Sequence, residues 1–375
     1  MIIGILKEPL GEKRVSLLPE QVIPLVKSGI TVKVEISAGL NAFANDEAYI
    51  QVGAVVEERK QILESANIIL SYWSIGEQEL AITQPGAILI GVFQPLFQFA
   101  QMQSWAKKGF TVFSLDMIPR TTRAQSMDVL SSQANIAGYK AVLTAANLLP
   151  RYFPMFMTAA GSIPPAKVLI LGAGVAGLQA IATAKRLGAV VEVSDTRAAV
   201  KEEVMSLGAK FIEVEGAADA ASAGGYAIEQ TEAFKQKQKE RLAVSVAKAD
   251  VIIATAQLQG KPAPLLIDEA LLKLMKPGAV VVDLAASTGG NVFGVQNNQV
   301  TNLFGVTLVG NSQLAADMPF DASKVYGKNV YNFLQLILTK EGAIHLNFED
   351  DIVKGCCMTY DGEVVNGRIQ SLLAS

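Results

Sequence analysis

Short runs of aliphatic and β-branched residues alternate with stretches of helical period from the first residue onward, the pattern of βαβ units wound around parallel sheet. Ile2 to Leu6 reads as the first strand and Pro19 to Lys27 as the first helix, with proline at its start and Gly29 just past its end. Thr31 to Ile36, Ile68 to Tyr72, Ala87 to Val92 and Thr111 to Leu115 continue the series as strands. Arg123 to about Leu149 then reads as one long helix rich in Ala, Leu and Gln, broken by Pro150, Pro154, Pro164 and Pro165. A second series opens at Lys167: strand Val168 to Leu171, helix Val175 to Leu187, then strands Ala189 to Val193, Val251 to Ala254, Ala279 to Val282 and Val306 to Val309. A helix over roughly Ser323 to Lys340 leads into the apolar run Ala343 to Phe348 and a turn-rich tail.

The fold class this predicts is α/β, with two Rossmann-like doubly wound domains separated by a cleft and joined by long helices. Residues 1-138 with 325-375 are expected to form the first domain, the tail packing back on it, and 139-324 the second. Glu215 to Gln230 is rich in Ala and Gly, and a loop of that length inside a compact domain is usually functional or mobile. Pro154 to Thr158, just before Gly161, is apolar enough for either a self-association hairpin or plain core packing.

Composition narrows the picture. The 375 residues suit two domains at about 150 residues each. Hydrophobic residues make up 50% and charged ones only 18%, so a large core can form and disorder is excluded. The net charge of -3 carries no basic face for nucleic acid. Cys356 and Cys357 are adjacent, placing their Cα atoms about 3.8 Å apart, closer than an ordinary disulfide prefers. A reducing compartment fits, and no metal site is expected. The mean hydropathy of +0.32 raises a membrane question, and Leu80 to Ala106 carries no charge. Pro85, Pro95 and five glutamines make it a poor span. The six apolar residues before Lys7 are too short for a signal-peptide core, so a cytoplasmic location is expected.

Candidate chemistry begins at Gly172-Ala173-Gly174-Val175-Ala176-Gly177, a GxGxxG directly after a strand and opening a helix. Its glycines serve a tight turn, close approach to a pyrophosphate and close helix-strand packing, and the helix N-terminus offers unpaired N-H groups. Asp195 follows Gly172 by 23 residues at the end of the next strand, where an acid binds the ribose 2'-OH of NAD and repels the 2'-phosphate of NADP. Arg197 nearby is the one feature that would suit NADP.

An alcohol or amine dehydrogenase moves a proton as well as a hydride and usually carries a poised acid or base. This chain has a single histidine, His345, whose place in AIHLNF suggests a half-buried strand residue. The densest polar cluster, Pro119 to Gln133, follows the strand ending near Leu115, the strand end at which open α/β sheets bind ligands. Gln125, Asp128 and Ser132 fall at i, i+3 and i+7 on one helical face, either lining a cleft or simply solvated.

MIPRTTRAQSMDVLSSQANIAGYKAV (Met117 to Val142) closely resembles the signature loop of the NAD(H)-binding domain of proton-translocating nicotinamide nucleotide transhydrogenases. So do LGAGVAGLQAIATAKRLGAVV, the AGGYA of the Ala-rich loop, KPAP at Lys261 to Pro264, VVDLAASTGGN at Val281 to Asn291 and the N-terminal KEPLGEKRVSLLPE. The resemblance covers nearly the whole chain. It implies a Re/Si-specific α subunit that holds NAD(H) and exchanges a hydride with NADP(H) on a partner subunit, while a membrane-spanning subunit couples the exchange to proton translocation. The chain ends at Ser375 with no span, so these partners are expected on separate polypeptides, with this chain on the cytoplasmic face of the inner membrane and homodimeric. Carried over by position, Gln125 contacts the nicotinamide, and Arg120, Asp128 and Ser131 hold its carboxamide. Gly172, Gly174, Val175, Ala176, Gly177, Asp195, Thr196, Ala256 and Leu258 bind the dinucleotide, and Gly225 and Tyr226 sit on a loop that closes over it.

Hydride transfer between two nicotinamides needs geometry and no general base, which accounts for the sparse acid-base inventory. Alanine dehydrogenase shares the KEP and RV pattern, represented by Glu8 and Arg14, and the glycine loop. Its substrate-binding Lys, His and Asp have no counterparts in IILSYWS, GVFQPL or Ala285 to Gly290. A stand-alone amino-acid dehydrogenase and a non-enzymatic NAD-sensing module remain the competing readings.

Overall fold

The computed structural model describes residues 1–213 and 232–374, and the chain divides into two compact units, Met1–Gln133 with Ala316–Ser375, and Ala134–Ala315. The first unit holds strands β1 (Ile2–Ile5), β2 (Thr31–Glu35), β3 (Val55–Glu57), β4 (Ile68–Leu70), β5 (Ile88–Gly91) and β6 (Thr111–Ser114). These run parallel in the order β6-β5-β4-β1-β2-β3. Cys357–Tyr360 adds to β6 as an antiparallel strand, and Glu363–Val364 closes that edge. Every residue of β4, β5 and β6 is buried, as expected for parallel strands covered on both faces. Tyr326, Val330 and Phe333 of the helix Pro319–Ile337 join the same core, so a segment some 200 residues downstream completes it.

The second unit holds β7 (Phe156–Thr158), β8 (Gly161–Ile163), β9 (Lys167–Leu171), β10 (Val190–Ser194), β11 (Lys210–Phe211), β12 (Val251–Ala254), β13 (Val280–Asp283), β14 (Gln299–Leu303) and β15 (Val306–Gly310). Its sheet has the order β11-β10-β9-β12-β13-β15-β14, parallel except for β14, while β7 and β8 form a separate antiparallel hairpin. The chain leaves β9 toward β10 on one side and returns to β12 on the other, so the order reverses at the carboxyl end of β9. Both sheets thus give two Rossmann-like α/β units.

Several expectations are corrected. The divisions fall at 133/134 and 315/316 rather than at 138/139 and 324/325. A Cβ on Gly138 would meet the Ala176 carbonyl oxygen at 2.1 Å, so that part of its helix packs within the second unit. Gln133 Nε2 donates to the Ala322 carbonyl at 3.1 Å, and Val15 N donates to Ser323 Oγ at 3.0 Å, which ties the start of the later helix into the first unit. That helix begins at Pro319, whose ring suits a first helical position, rather than at Ser323. The helix expected from Arg123 starts only at Val129, after a 3-10 segment Thr122–Met127. Ala343 to Phe348 forms no strand, and His345 is exposed rather than half-buried, because only an isolated bridge between Leu338 and Ile344 pairs this segment. Among the described residues no helix is long and apolar enough to cross a membrane.

Candidate functional site

In the second unit the GxGxxG turn lies at the sheet's reversal point, the position at which open α/β sheets bind ligands. Gly172 takes φ +97°, open to glycine and costly for other residues. Gly177 has no room for a side chain, since a Cβ there would lie 1.9 Å from the Gly172 carbonyl oxygen. Gly174, by contrast, has nothing within 4 Å of the Cβ position. It precedes the helix Val175–Arg186 with no side-chain cap, so no cap side chain takes up the first amides of that helix, which carry the positive end of its dipole. A tight turn, a dense helix-strand contact and an open approach are thus divided among three glycines. Val175 is exposed, and Ala176 and Thr196 are half-buried.

Asp195 follows β10 and is almost covered. Its Oδ2 accepts from Ala173 N at 2.6 Å and Arg197 Nη2 at 2.8 Å, and its Oδ1 accepts from Arg197 N at 2.8 Å and Arg197 Nε at 3.0 Å. The carboxylate thereby ties the glycine turn to the end of β10. It is also paired with the arginine, a feature that spacing does not reveal.

The strand ends beyond β9 are buttressed by residues to which the sequence alone assigns no role. Thr255 Oγ1 donates to the carbonyls of Leu171 and Gly172, both at 3.1 Å, fixing the turn from the β12 side. Asn291, fully buried, accepts from Ala256 N at 3.0 Å and donates to the carbonyls of Ala256 at 2.9 Å and Pro264 at 2.8 Å. Asp283 accepts from the amides of Ala285, Asn291 and Val292, while burial pushes its carboxyl up. Ala256 is therefore held by an asparagine across the loops, while Leu258 pairs with Lys261. The asparagine's place at the end of VVDLAASTGGN is the only signal for it in the sequence. Gly225 and Tyr226, with the whole of Glu215 to Gln230, lie outside the described residues.

In the first unit the polar segment is built differently from the expected helical face. Asp128 caps the helix Val129–Leu148, accepting from Ser131 N at 2.9 Å and Ser131 Oγ at 2.6 Å, so Gln125 and Asp128 do not share a continuous helix. Upstream, the Ser126 carbonyl accepts from Asn329 Nδ2 at 2.8 Å and Asn332 Nδ2 at 2.9 Å. The Arg123 guanidinium pairs with Asp350 at 2.6 Å and with Asp351. Ala124 and Met127 are buried beneath, leaving Gln125 and Arg120 exposed on an anchored turn.

The residues of the shared N-terminal pattern are bonded within this unit. Arg14 is buried, forked onto Glu12 at 2.8 and 2.7 Å, bonded to Gln133 Oε1 at 2.8 Å and stacked 3.7 Å from the Tyr72 ring centroid. Glu8 accepts from Tyr72 N at 2.6 Å and Trp73 N at 3.2 Å at the carboxyl end of β4. Burial pushes its carboxyl up to about 7 against the pull of those amides. Among the described residues no cluster of His, Cys, Asp and Glu could hold a metal.

Comparison with known proteins follows the two units. Residues 4–137 match the alanine dehydrogenase/PNT N-terminal domain and residues 141–367 the alanine dehydrogenase/PNT C-terminal domain. The chain is 43% identical over 368 residues to the first part of the NAD(P) transhydrogenase subunit alpha of Rhodospirillum rubrum, covering 95% of each. It superposes on the crystal structure of transhydrogenase from Sinorhizobium meliloti with a TM-score of 0.89 and 43% identity, over 97% of this chain and 100% of that one. An L-alanine dehydrogenase structure shares the fold, with a TM-score of 0.82 at 23% identity over 100% and 99% of the two chains.

Proposed function

Because the chain belongs to the alanine dehydrogenase/PNT family and is 43% identical to a transhydrogenase α subunit, we propose that it is the NAD(H)-binding subunit of a proton-translocating transhydrogenase. In this reading it passes a hydride between NADH and NADP+ held on a partner subunit, and a membrane-spanning subunit couples the transfer to proton movement. The observation that carries the reading is the glycine turn at the sheet reversal, open at Gly174 and followed by Asp195 after β10.

The residues fit a dinucleotide. The first amides of the helix Val175–Arg186 suit a pyrophosphate, Asp195 and Thr196 suit the adenosine ribose, and Ala256 and Leu258 line the next strand end. Gly225 and Tyr226 are assigned to the same ligand by resemblance. The bound nucleotide supplies the hydride itself. The polypeptide supplies orientation: Arg120, Asp128 and Ser131 for the carboxamide, and Gln125 for the ring and the incoming partner. No proton changes hands between two nicotinamides, so an exposed His345 and a capping Asp128 are no obstacle.

Homodimerisation and attachment to the cytoplasmic face of the inner membrane belong to the same proposal. The β7–β8 hairpin supports the first, since Met155, Phe156 and Met157 are 61%, 42% and 71% exposed and Tyr152 stacks on Phe156 at 5.2 Å. The decisive test is NADPH-driven reduction of an NAD analogue by the purified chain mixed with membranes that carry the partner subunits and lack this one. Activity that rises with added protein supports the reading. Background activity with proven NADH binding and competent membranes would turn attention to an amino-acid substrate screen.

A further inference from the structure

The assignment of Gln125 to the nicotinamide ring and the incoming partner, on which the following role rests, demands a backbone that keeps one position while a hydride crosses. Gln125 lies in the 3-10 segment Thr122–Met127, six residues long. Runs beyond three or four residues are uncommon in this conformation, because its hydrogen bonds are poorly aligned. The bond that closes the segment, from Asp128 N to the Gln125 carbonyl, is long at 3.4 Å. Local structure is thus a weak constraint on the shape of the turn.

The stronger constraint comes from 203 residues downstream. The carbonyl of Ser126, the residue after Gln125, accepts from Asn329 Nδ2 at 2.8 Å and from Asn332 Nδ2 at 2.9 Å, which fills both lone pairs of that oxygen. Three residues apart, the two amides share one face of the helix Pro319–Ile337. Val330 and Phe333 of that helix are fully buried, and Phe333 packs on Phe113 of β6 with ring centroids 5.2 Å apart. The helix that grips the turn therefore rests on the strand that delivers the chain into it. The pairing of Arg123 with Asp350 and Asp351 is a weaker hold, since the arginine side chain is 50% exposed and solvent screens it. Asn329 is only 7% exposed, and no described residue donates to its Oδ1. A buried acceptor left without a donor is a cost that an aliphatic side chain would avoid. What the amide supplies in exchange is the bond to Ser126.

We propose that Asn329 and Asn332 are positioning residues for hydride transfer, clamping the Ser126 carbonyl so that Gln125 stands in the geometry the transfer requires. They act through Gln125 and not on the nucleotide. A displacement of about 1 Å can slow a reaction about 100-fold, whereas the glycine turn that suits the pyrophosphate belongs to the second unit. The clamp should therefore govern rate and leave NADH affinity alone.

The test compares wild type, Asn332→Ala, Asn329→Leu and the double variant. NADH affinity of the purified full chain is read by nicotinamide fluorescence and its stability by thermal melts. Rate and KM come from NADPH-driven reduction of an NAD analogue by the chain assembled with membranes that carry the partner subunits. The double variant should turn over about 10- to 100-fold more slowly, with KM and NADH affinity within about threefold of wild type. Asn332→Gln, which keeps the amide donor on a longer arm, should recover part of the rate lost in Asn332→Ala. In a Gln125→Asn background the same clamp variants should cost markedly less than they do in wild type, because coupled residues are not additive. Unaltered turnover in the double variant, an equal loss in the two backgrounds, or a loss that falls on KM or NADH affinity instead of rate overturns the proposal. Where the double variant fails to fold, Asn332→Ala, at a half-buried position, is held to the same criteria. Unaltered turnover in Gln125→Asn alone would refute the assignment of Gln125 itself, a result separate from the failures above.

Discussion

Two glycine-to-alanine substitutions three residues apart should fail in opposite ways. At Gly177 the new Cβ would sit 1.9 Å from the Gly172 carbonyl oxygen and 2.9 Å from its carbon, both backbone atoms. Neither can rotate aside, so the helix Val175–Arg186 must lift from the sheet. Overpacking of this kind costs about 1–3 kcal/mol, and a backbone clash belongs at the upper end. At about 2–4 °C per kcal/mol for a unit of this size, the melting transition should drop by roughly 6–12 °C. At Gly174 the φ of -78° is ordinary and no atom lies within 4 Å of the Cβ position, so stability should change by less than about 1 kcal/mol. That methyl group would occupy the approach of the pyrophosphate, and NADH binding should weaken at least about tenfold. Differential scanning calorimetry and fluorescence titration of both variants separate the two. The reasoning is refuted if Gly177→Ala melts as wild type, or if Gly174→Ala binds NADH normally.

Gln125→Asn should leave NADH affinity unchanged and slow hydride transfer in the assembled enzyme, and unaltered turnover would remove Gln125 from the reaction. Glu8 gives a pH signature: burial raises its carboxyl from the usual 4.5 to about 7, so the folded state holds a proton that the unfolded chain has released. That stabilisation is complete below about pH 4.5 and lost as pH rises through 7. Glu8→Gln has no such titration, so between about pH 4.5 and pH 8 wild type should lose about 3 kcal/mol relative to the variant in urea unfolding, with equal pH slopes for the two counting against it. Cys356 and Cys357 are buried free thiols, burial holding Cys357 up at about 12, so neither should react with a thiol reagent until the protein unfolds. Rapid labelling of the native chain would contradict that.

Strand positions were legible because parallel strands buried on both faces are unbroken apolar runs, as in Val251–Ala254 and Ile88–Gly91. The glycine turn was legible for a related reason, each glycine having a separate steric task. What the sequence hid were side chains acting on distant backbone. Asp128 reads as one more polar residue in a helical stretch, yet its bonds to Ser131 start the helix there. Asn329 and Asn332 hold Ser126 from about 200 residues away, and no local pattern connects them. The Asp195–Arg197 pair lay in plain view as D-T-R, but only its geometry shows every acceptor position taken. Phe43 and Gln94, non-glycine residues at φ 62° and 50°, likewise carry no signal in composition or period.

The nested connectivity bears on the order in which a ribosome can deliver a foldable product. The second unit is one uninterrupted stretch, Ala134–Ala315, and every strand of its sheet has been translated before the last segment of the first unit, Ala316–Ser375, is begun. The first unit must wait. Until Cys357–Tyr360 arrives, β6 is an open edge, and until Pro319–Ile337 arrives, the pocket for Phe333 against Phe113 is unfilled. Chains terminated and released at residue 315 should therefore carry a finished second unit tethered to an unfinished first one, the species in which chaperone demand and aggregation are concentrated.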